Sequence, residues 1–286
     1  MRESILLMLG STTPRAWCDP NLGLPITDYG VRAGVQIGVH VNPLDVALYA
    51  CKILNLEDAT GPIVIPDLEG IAGSEYVDRA VKWLLANQTR TGNLCYWANN
   101  FPFPPSEMRT PWKSALTEAF GSLLLLVAGK TQWARRHLVT MLTDYSTGGV
   151  ADVGEDSIRF LEYPSDTRSV VLNGMMHCLL ILHECSIILK DDTLRRNFEI
   201  GFRTLKGDLG RFDAGFYTFY DSRKNPADEK YHRIHIKLLR LLYEKTQDPE
   251  LLPYLSRWSA YMKTYPVMEP LIFLRHLIRS GGRLYI

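Results

Sequence analysis

Long apolar helical stripes recur along this chain at similar spacing, and that recurrence restricts the fold more than any other feature. Helix pairs are expected to begin near residues 43, 112, 168 and 231, with roughly 55 to 70 residues per unit. Asn42-Pro43 suits a helix start, because Asn42 can cap it and Pro43 fits the first turn. Leu44, Ala47, Leu48 and Cys51 follow at helical spacing, and a second helix carries Val77, Ala80, Val81 and Leu84. Thr110-Pro111-Trp112 opens a third, which Gly129 stops; a fourth follows to about Asp144. A fifth is expected from about Arg168 to Leu189, and Asp191-Asp192 caps a sixth. Lys230-Tyr231-His232 leads into a seventh, Asp248-Pro249 starts an eighth, and a last apolar helix spans Glu269 to Ile278. Pairs joined through short inserts close readily into a ring. The expected fold is all-α dominated: an (α/α) toroid of about four helix pairs over residues 37–286, with short β-hairpin inserts at one mouth. Residues 1–36 are punctuated by Pro14, Pro20, Pro25, Gly23, Gly30 and Gly34, so an irregular arm is expected there.

Composition narrows the function by exclusion. The 286 residues are 46% hydrophobic, enough for a sizeable core, and carry a formal net charge of +1. Nothing in that balance calls for nucleic acid or a membrane surface as partner. The five cysteines show no CxxC spacing, and Cys178 and Cys185 sit about 10 Å apart along one helix, too far to bridge. Reduced, buried thiols are expected. The seven histidines show no metal-ligand spacing, and there is no GxGxxG and no HExxH, so no cofactor or metal is expected. The apolar run Ile5–Leu9 is too short to span a bilayer. A cytoplasmic protein is the expectation.

The polar and aromatic residues with chemical capacity concentrate in the inserts. Pro164 biases Tyr163 towards an extended conformation, so Glu162 and Tyr163 fall just before the fifth helix, where side chains can enter a cavity. Tyr217, Tyr220 and Arg223 lie in a later aromatic insert, Tyr231 at the next helix start, and Trp97 in an earlier hairpin. Binding residues on inserts held by a rigid scaffold are a common way to build a site. Taken singly, each has a plainer role: Arg223 can pair with Asp221 or Asp228, His235 can be a satisfied core residue, and Trp97 can be core.

Three short motifs in order carry a resemblance. Phe160-Leu161-Glu162-Tyr163-Pro164 with Leu172-Asn173-Gly174, then Phe219-Tyr220-Asp221-Ser222-Arg223, then Tyr231-His232-Arg233-Ile234-His235-Ile236 resemble the C-terminal domain of D-glucuronyl C5-epimerases. Those enzymes convert D-glucuronate to L-iduronate within heparan-type polysaccharides. By position, the resemblance implies a catalytic acid at Glu162 and catalytic tyrosines at Tyr163, Tyr220 and Tyr231. It implies a substrate-contacting arginine at Arg223, with His232, His235 and, on the first helix, Tyr49 at matching positions. Asn173 and Trp97 complete the expected substrate contacts. The match departs from the family where the third helix reads Leu116-Thr117-Glu118-Ala119-Phe120 instead of a Gln-rich segment. The family's preceding β-rich domain has no counterpart in the 36 residues before the helices.

The chemistry so implied is inversion at C5 of a uronate, with a uronate-containing saccharide as partner. It needs a cation beside the sugar carboxylate and a proton carrier on each face. Arg223 suits the first; Glu162 and Tyr231 suit the second, with Tyr163 and Tyr220 in support. Two other readings stay open. A glycoside hydrolase or lyase would pair Glu162 with Asp152, Glu155 or Asp156. A non-catalytic sugar-binding relative would keep the scaffold alone. A homodimer through the segment Leu271–Ile278 is a further expectation.

Overall fold

Two helices are buried on nearly every side, and the rest of the chain is layered on them. In the computed structural model, which describes residues 14–71 and 73–279, these are α4 (Ala115–Val127) and α6 (Leu172–Leu189). Their apolar residues run all the way round the axis, as a helix flanked on both sides requires. Helix α6 is long and apolar enough to cross a membrane, yet 72% of it is buried inside the fold, as befits a core helix.

Helices α1 (Pro43–Ile53), α4, α6 and α8 (Glu229–Thr246) pack side by side in chain order. Each carries a partner: α3 (Gly73–Ala86) on α1, α5 (Thr131–Leu142) on α4, α7 (Asp192–Asp208) on α6, and α9 (Leu252–Tyr261) on α8. A single turn, α2 (Glu57–Thr60), reaches across to α6. Helix α10 (Tyr265–Arg279) follows α9 and touches α8. One continuous apolar core joins the two layers, from Leu24 to Trp258.

Local sequence explains the helix ends. Asn42 Oδ1 accepts from Leu44 N–H at α1, Asp191 from Thr193 and Leu194 N–H at α7, and Asp228 from Tyr231 N–H at α8. Two boundaries differ from expectation. Helix α4 begins at Ala115 rather than near Pro111, because Trp112 is held in an isolated bridge with Asn99. Helix α6 begins at Leu172 rather than Arg168. Residues 170–172 are drawn out against the chain near Tyr220 to Ser222, and Arg168 takes a left-handed conformation with φ of 45°.

The strands are short. Residues 1–36 were expected as an irregular arm; the described part of that stretch, with residues 37–40, forms small antiparallel sheets. β1 (Arg15–Cys18), β2 (Pro25–Asp28) and β5 (Val39–His40) make one, with Trp17 opposite Ile26 and Thr27 opposite His40. β3 (Val31–Arg32) and β4 (Val35–Gln36) make another. The glycines read as punctuation are the turns between these strands. Residues 1–13, with the Ile5–Leu9 run, lie outside the described residues.

Two hairpins bridge the helix pairs: β6 (Gln88–Thr91) with β7 (Leu94–Trp97), and β8 (Ala151–Val153) with β9 (Ile158–Phe160). The insert at Phe212–Tyr220, expected as a hairpin, is a turn with isolated bridges at Asp213–Thr218 and Phe219–Pro226. All five cysteines are free. In α10, Leu271 and Leu274 are exposed while Ile272 is buried.

Candidate functional site

Three inserts that are distant in sequence meet at one cavity of about 150 Å³. Phe103, Pro105 and Ser106 come from the loop between β7 and α4, and Tyr163 from the segment between β9 and α6. Tyr220, Pro226, Asp228 and Tyr231 come from the α7–α8 connection and the first turn of α8. A second, smaller cavity shares Pro105, Ser106, Tyr163 and Tyr220 and adds Ser165, Asp221 and Arg223. Tyr163, Tyr220, Tyr231 and Arg223 are thus gathered at one place.

The phenols are held by ring packing. Tyr163 stacks on Phe103 at 5.5 Å and leans on Trp112 at 5.8 Å, while Tyr220 and Tyr231 meet edge to face at 4.8 Å. Behind them lies Glu162, 8% exposed. Burial pushes its carboxyl up to about 7, opposed by a hydrogen bond from Tyr163. Its Oε2 has no hydrogen-bond partner among the described residues. Burial, and then the Glu162 charge, hold Tyr163 and Tyr220 well above the ordinary phenol range, so both stay protonated. The site therefore joins an acid poised near neutrality to phenols that can donate.

Gly174 shows why this backbone suits the acid. A Cβ there would lie 2.7 Å from Glu162 Oε2, so only glycine lets the carboxylate settle against the first turn of α6. The partial positive charge of that turn favours an anion. Asn173 beside it is buried, with Oδ1 unpartnered among the described residues.

Arg223 donates from Nη2 to Glu107 Oε1 at 3.2 Å, an ion pair across 116 residues of sequence. Asp221 shapes the turn beneath it by accepting from the backbone N–H groups of Arg223 and Asn225. Asp221 is thus a turn residue, and the guanidinium grips a carboxylate at the cavity rim.

Four other expected residues lie elsewhere. Trp97 is fully buried; its Nε1 donates to the Leu84 carbonyl and its ring stacks on His137 at 3.5 Å, so it is core rather than a sugar contact. Tyr49 is buried and donates to the Pro66 carbonyl. His232 and His235 both contact the Thr218 hydroxyl through Nδ1, at 2.8 and 2.9 Å, and His232 Nε2 meets the Trp258 carbonyl. Neither lines the tyrosine cavity. They brace the start of α8, and burial holds both below the ordinary histidine range. The carboxylates weighed as partners for Glu162 also stand apart: Asp152 pairs with Arg168 and Arg159, and Glu155 and Asp156 are exposed in the β8–β9 turn.

The segment that assembles this cavity is also the one that carries a family signature. The D-glucuronyl C5-epimerase C-terminus family matches residues 91–260. The chain belongs to that family. The epimerase-family match takes in Glu162, Tyr163, Tyr220, Arg223 and Tyr231 and leaves out Tyr49. Among relatives, the chain is 28% identical to the D-glucuronyl C5-epimerase of Caenorhabditis elegans over 217 residues. That alignment covers 64% of this chain and 34% of the worm enzyme, so this chain spans about a third of that relative's length. It is also 24% identical over 262 residues to an uncharacterized protein of Methanocaldococcus jannaschii, covering 86% of this chain and 85% of that one.

Sequence reasoning missed one wall of this cavity. Phe103, Pro105 and Ser106 form it from a Pro-rich loop, and the side to which such a loop folds depends on distant contacts. Asp228 was named only as a possible ion-pair partner. In the structure it lines the cavity and caps α8, and an Asp two residues before a predicted helix was the available signal.

Proposed function

We propose that this protein is an isomerase that inverts C5 of a uronate residue in a saccharide, on helix pairs closed into an (α/α) toroid. The observation that carries the reading is the buried Glu162, raised to about 7 and hydrogen-bonded by a phenol that faces a cavity rimmed by Arg223. Family membership and the similarity to a curated C5-epimerase support the same reading.

The sugar carboxylate displaces Glu107 from Arg223, whose guanidinium then draws charge out of C5. The C5–H bond breaks and its electron pair moves into the C5–C6 bond, giving an enediolate. The proton passes to Glu162 through the Tyr163 hydroxyl. Tyr231 returns a proton to the opposite face, and Tyr220 supports the developing charge with a hydrogen bond. A carboxyl near 7 suits both directions, since each carrier must accept and release within a turnover. Each placed carrier contributes about 10² to 10⁴-fold. The hydrolase reading loses ground because Asp152, Glu155 and Asp156 stand away from the cavity.

Incubation with glucuronate-containing oligosaccharides, followed by proton NMR of the C5 configuration, tests the proposal. Iduronate signals that grow with enzyme concentration are the expected result. Unchanged glucuronate across a panel of uronosides, with folded protein, overturns it. New reducing ends in its place would favour the hydrolase.

A further inference from the structure

A third cavity, of about 350 Å³, shares with the tyrosine site the loop between β7 and α4. Phe101 faces this cavity and Phe103 faces the first, so Phe101-Pro102-Phe103 forms a partition between them. Trp83 at the end of α3, Tyr96 on β7 and His40 on β5 add further rings to its lining. Asn87 and Asn100 supply polar groups, and among the described residues no Asp, Glu, Lys or Arg lines it.

That composition selects a class of ligand. Pyranose rings present C–H faces that pack on aromatic planes, and edge hydroxyls that pair with amides. Cations in the lining would be needed for a carboxylate or sulfate, and among the described residues none lines it: the nearby Lys113 ammonium lies against the Tyr96 ring and donates to the Gly148 carbonyl. The tyrosine site has the opposite character, with an acid behind its phenols and a guanidinium at its rim. We infer that this cavity is a binding subsite for an uncharged pyranose residue of the same glycan whose uronate enters the tyrosine site. The inference rests on the reading of the tyrosine site only for the identity of the neighbouring sugar.

The lining is held in place without that ligand. His40 stacks on Phe101 at 4.6 Å and anchors Nε2 on the Ile37 carbonyl at 2.9 Å. Tyr29 covers another face of Phe101 at 4.9 Å. Asn87 Nδ2 donates to the Trp83 carbonyl at 2.8 Å, which fixes the amide. The Lys113 ammonium sits 4.4 Å from the centre of the Tyr96 ring, orienting it. A scaffold ordered in advance reduces the entropic cost of binding.

Two ring contacts connect the cavities: Phe101 to Trp112 at 5.7 Å and Trp112 to Tyr163 at 5.8 Å. The sheet of β1, β2 and β5 forms part of this wall through His40, which gives residues 15–40 a part in the binding surface.

The test is direct binding, independent of turnover. Uncharged trisaccharides of glucose, N-acetylglucosamine and N-acetylgalactosamine are titrated into the full chain by saturation-transfer NMR and calorimetry. At least one is expected to bind, with affinity about tenfold weaker in Tyr96→Ala and in the exposed Asn100→Ala, and unchanged in Glu162→Gln. Asn100→Ala guards against loss of folding. No binding by folded protein across the panel overturns the inference, and so does binding that both cavity variants leave intact. If C5 inversion fails while this binding and its loss in the variants hold, only the reading of the tyrosine site falls.

Discussion

Glu162 and Glu118 are both buried glutamates beside aromatic rings, yet their surroundings give them different work. Glu118 on α4 is fully enclosed and fully partnered. Its Oε1 accepts from Trp97 N–H at 3.0 Å and its Oε2 meets His137 Nδ1 at 2.6 Å. His137 Nε2 lies 3.4 Å from Cys95 Sγ, and Gly121 leaves room for Trp97, since a Cβ there would lie 2.3 Å from that ring. This is a closed network that ties the β6–β7 hairpin to α4 and α5. Cys95 sits within it as a thiol, with burial pushing it up to about 11. Glu162 has one oxygen unpartnered among the described residues and a cavity beyond its phenol neighbour. A satisfied buried acid holds structure; one left short of partners at a cavity is available for proton transfer.

The sharpest way to break this contrast is to neutralise each acid. Glu162→Gln is expected to lower kcat by about 10² to 10⁴-fold with little change in fold. Glu118→Gln is expected to destabilise by roughly 3 kcal/mol, because it breaks a buried pair, while activity per folded molecule persists. Urea titrations alongside kinetics separate the two. If both variants lose activity and stability alike, the distinction fails.

A second contrast lies in pH. Glu162 binds its proton more tightly folded than unfolded, so between about pH 4.5 and 7 the native state holds the extra proton and stability falls as pH rises. The full effect is roughly 3 kcal/mol, from a shift of about two and a half units at 1.36 kcal/mol each. Glu162→Gln is therefore expected to be more stable than wild type at pH 8 and similar at pH 4. An equal difference at both values would contradict the raised carboxyl.

Arg223→Lys is expected to cost about 10 to 100-fold in kcat/KM, because an ammonium lacks the two-pronged donor geometry. Glu107→Gln is expected to act in the opposite direction and lower KM several-fold, since a competing carboxylate leaves the guanidinium. The smallest expected effect is on profile shape. Tyr163 donates to Glu162 and lowers its pKa, so Tyr163→Phe, beyond reducing the rate, moves the acid limb of the residual activity to higher pH.

The helical layers were legible because long apolar stripes and caps such as Asn42 and Asp191 are local signals. Glu162 and Tyr163 were legible through Pro164, which fixes the local conformation, and through the family-like motifs around them. Trp97 was misread because a tryptophan in a hairpin looks the same whether its ring meets solvent or His137. His232 and His235 follow helical spacing away from Tyr231, but their common partner, the Thr218 hydroxyl, is set by the turn of the preceding insert. The strands within the expected arm of residues 1–36 were not legible, because strands of two to four residues carry too little periodicity to register.

The most direct measurement is solvent deuterium entering C5 of a uronoside in heavy water, followed in wild type, Glu118→Gln and Glu162→Gln. Label at C5 alone, rising through a midpoint near pH 7, kept by folded Glu118→Gln and lost in Glu162→Gln, is the predicted result. Uptake that survives in Glu162→Gln would contradict Glu162 as the group that takes the proton.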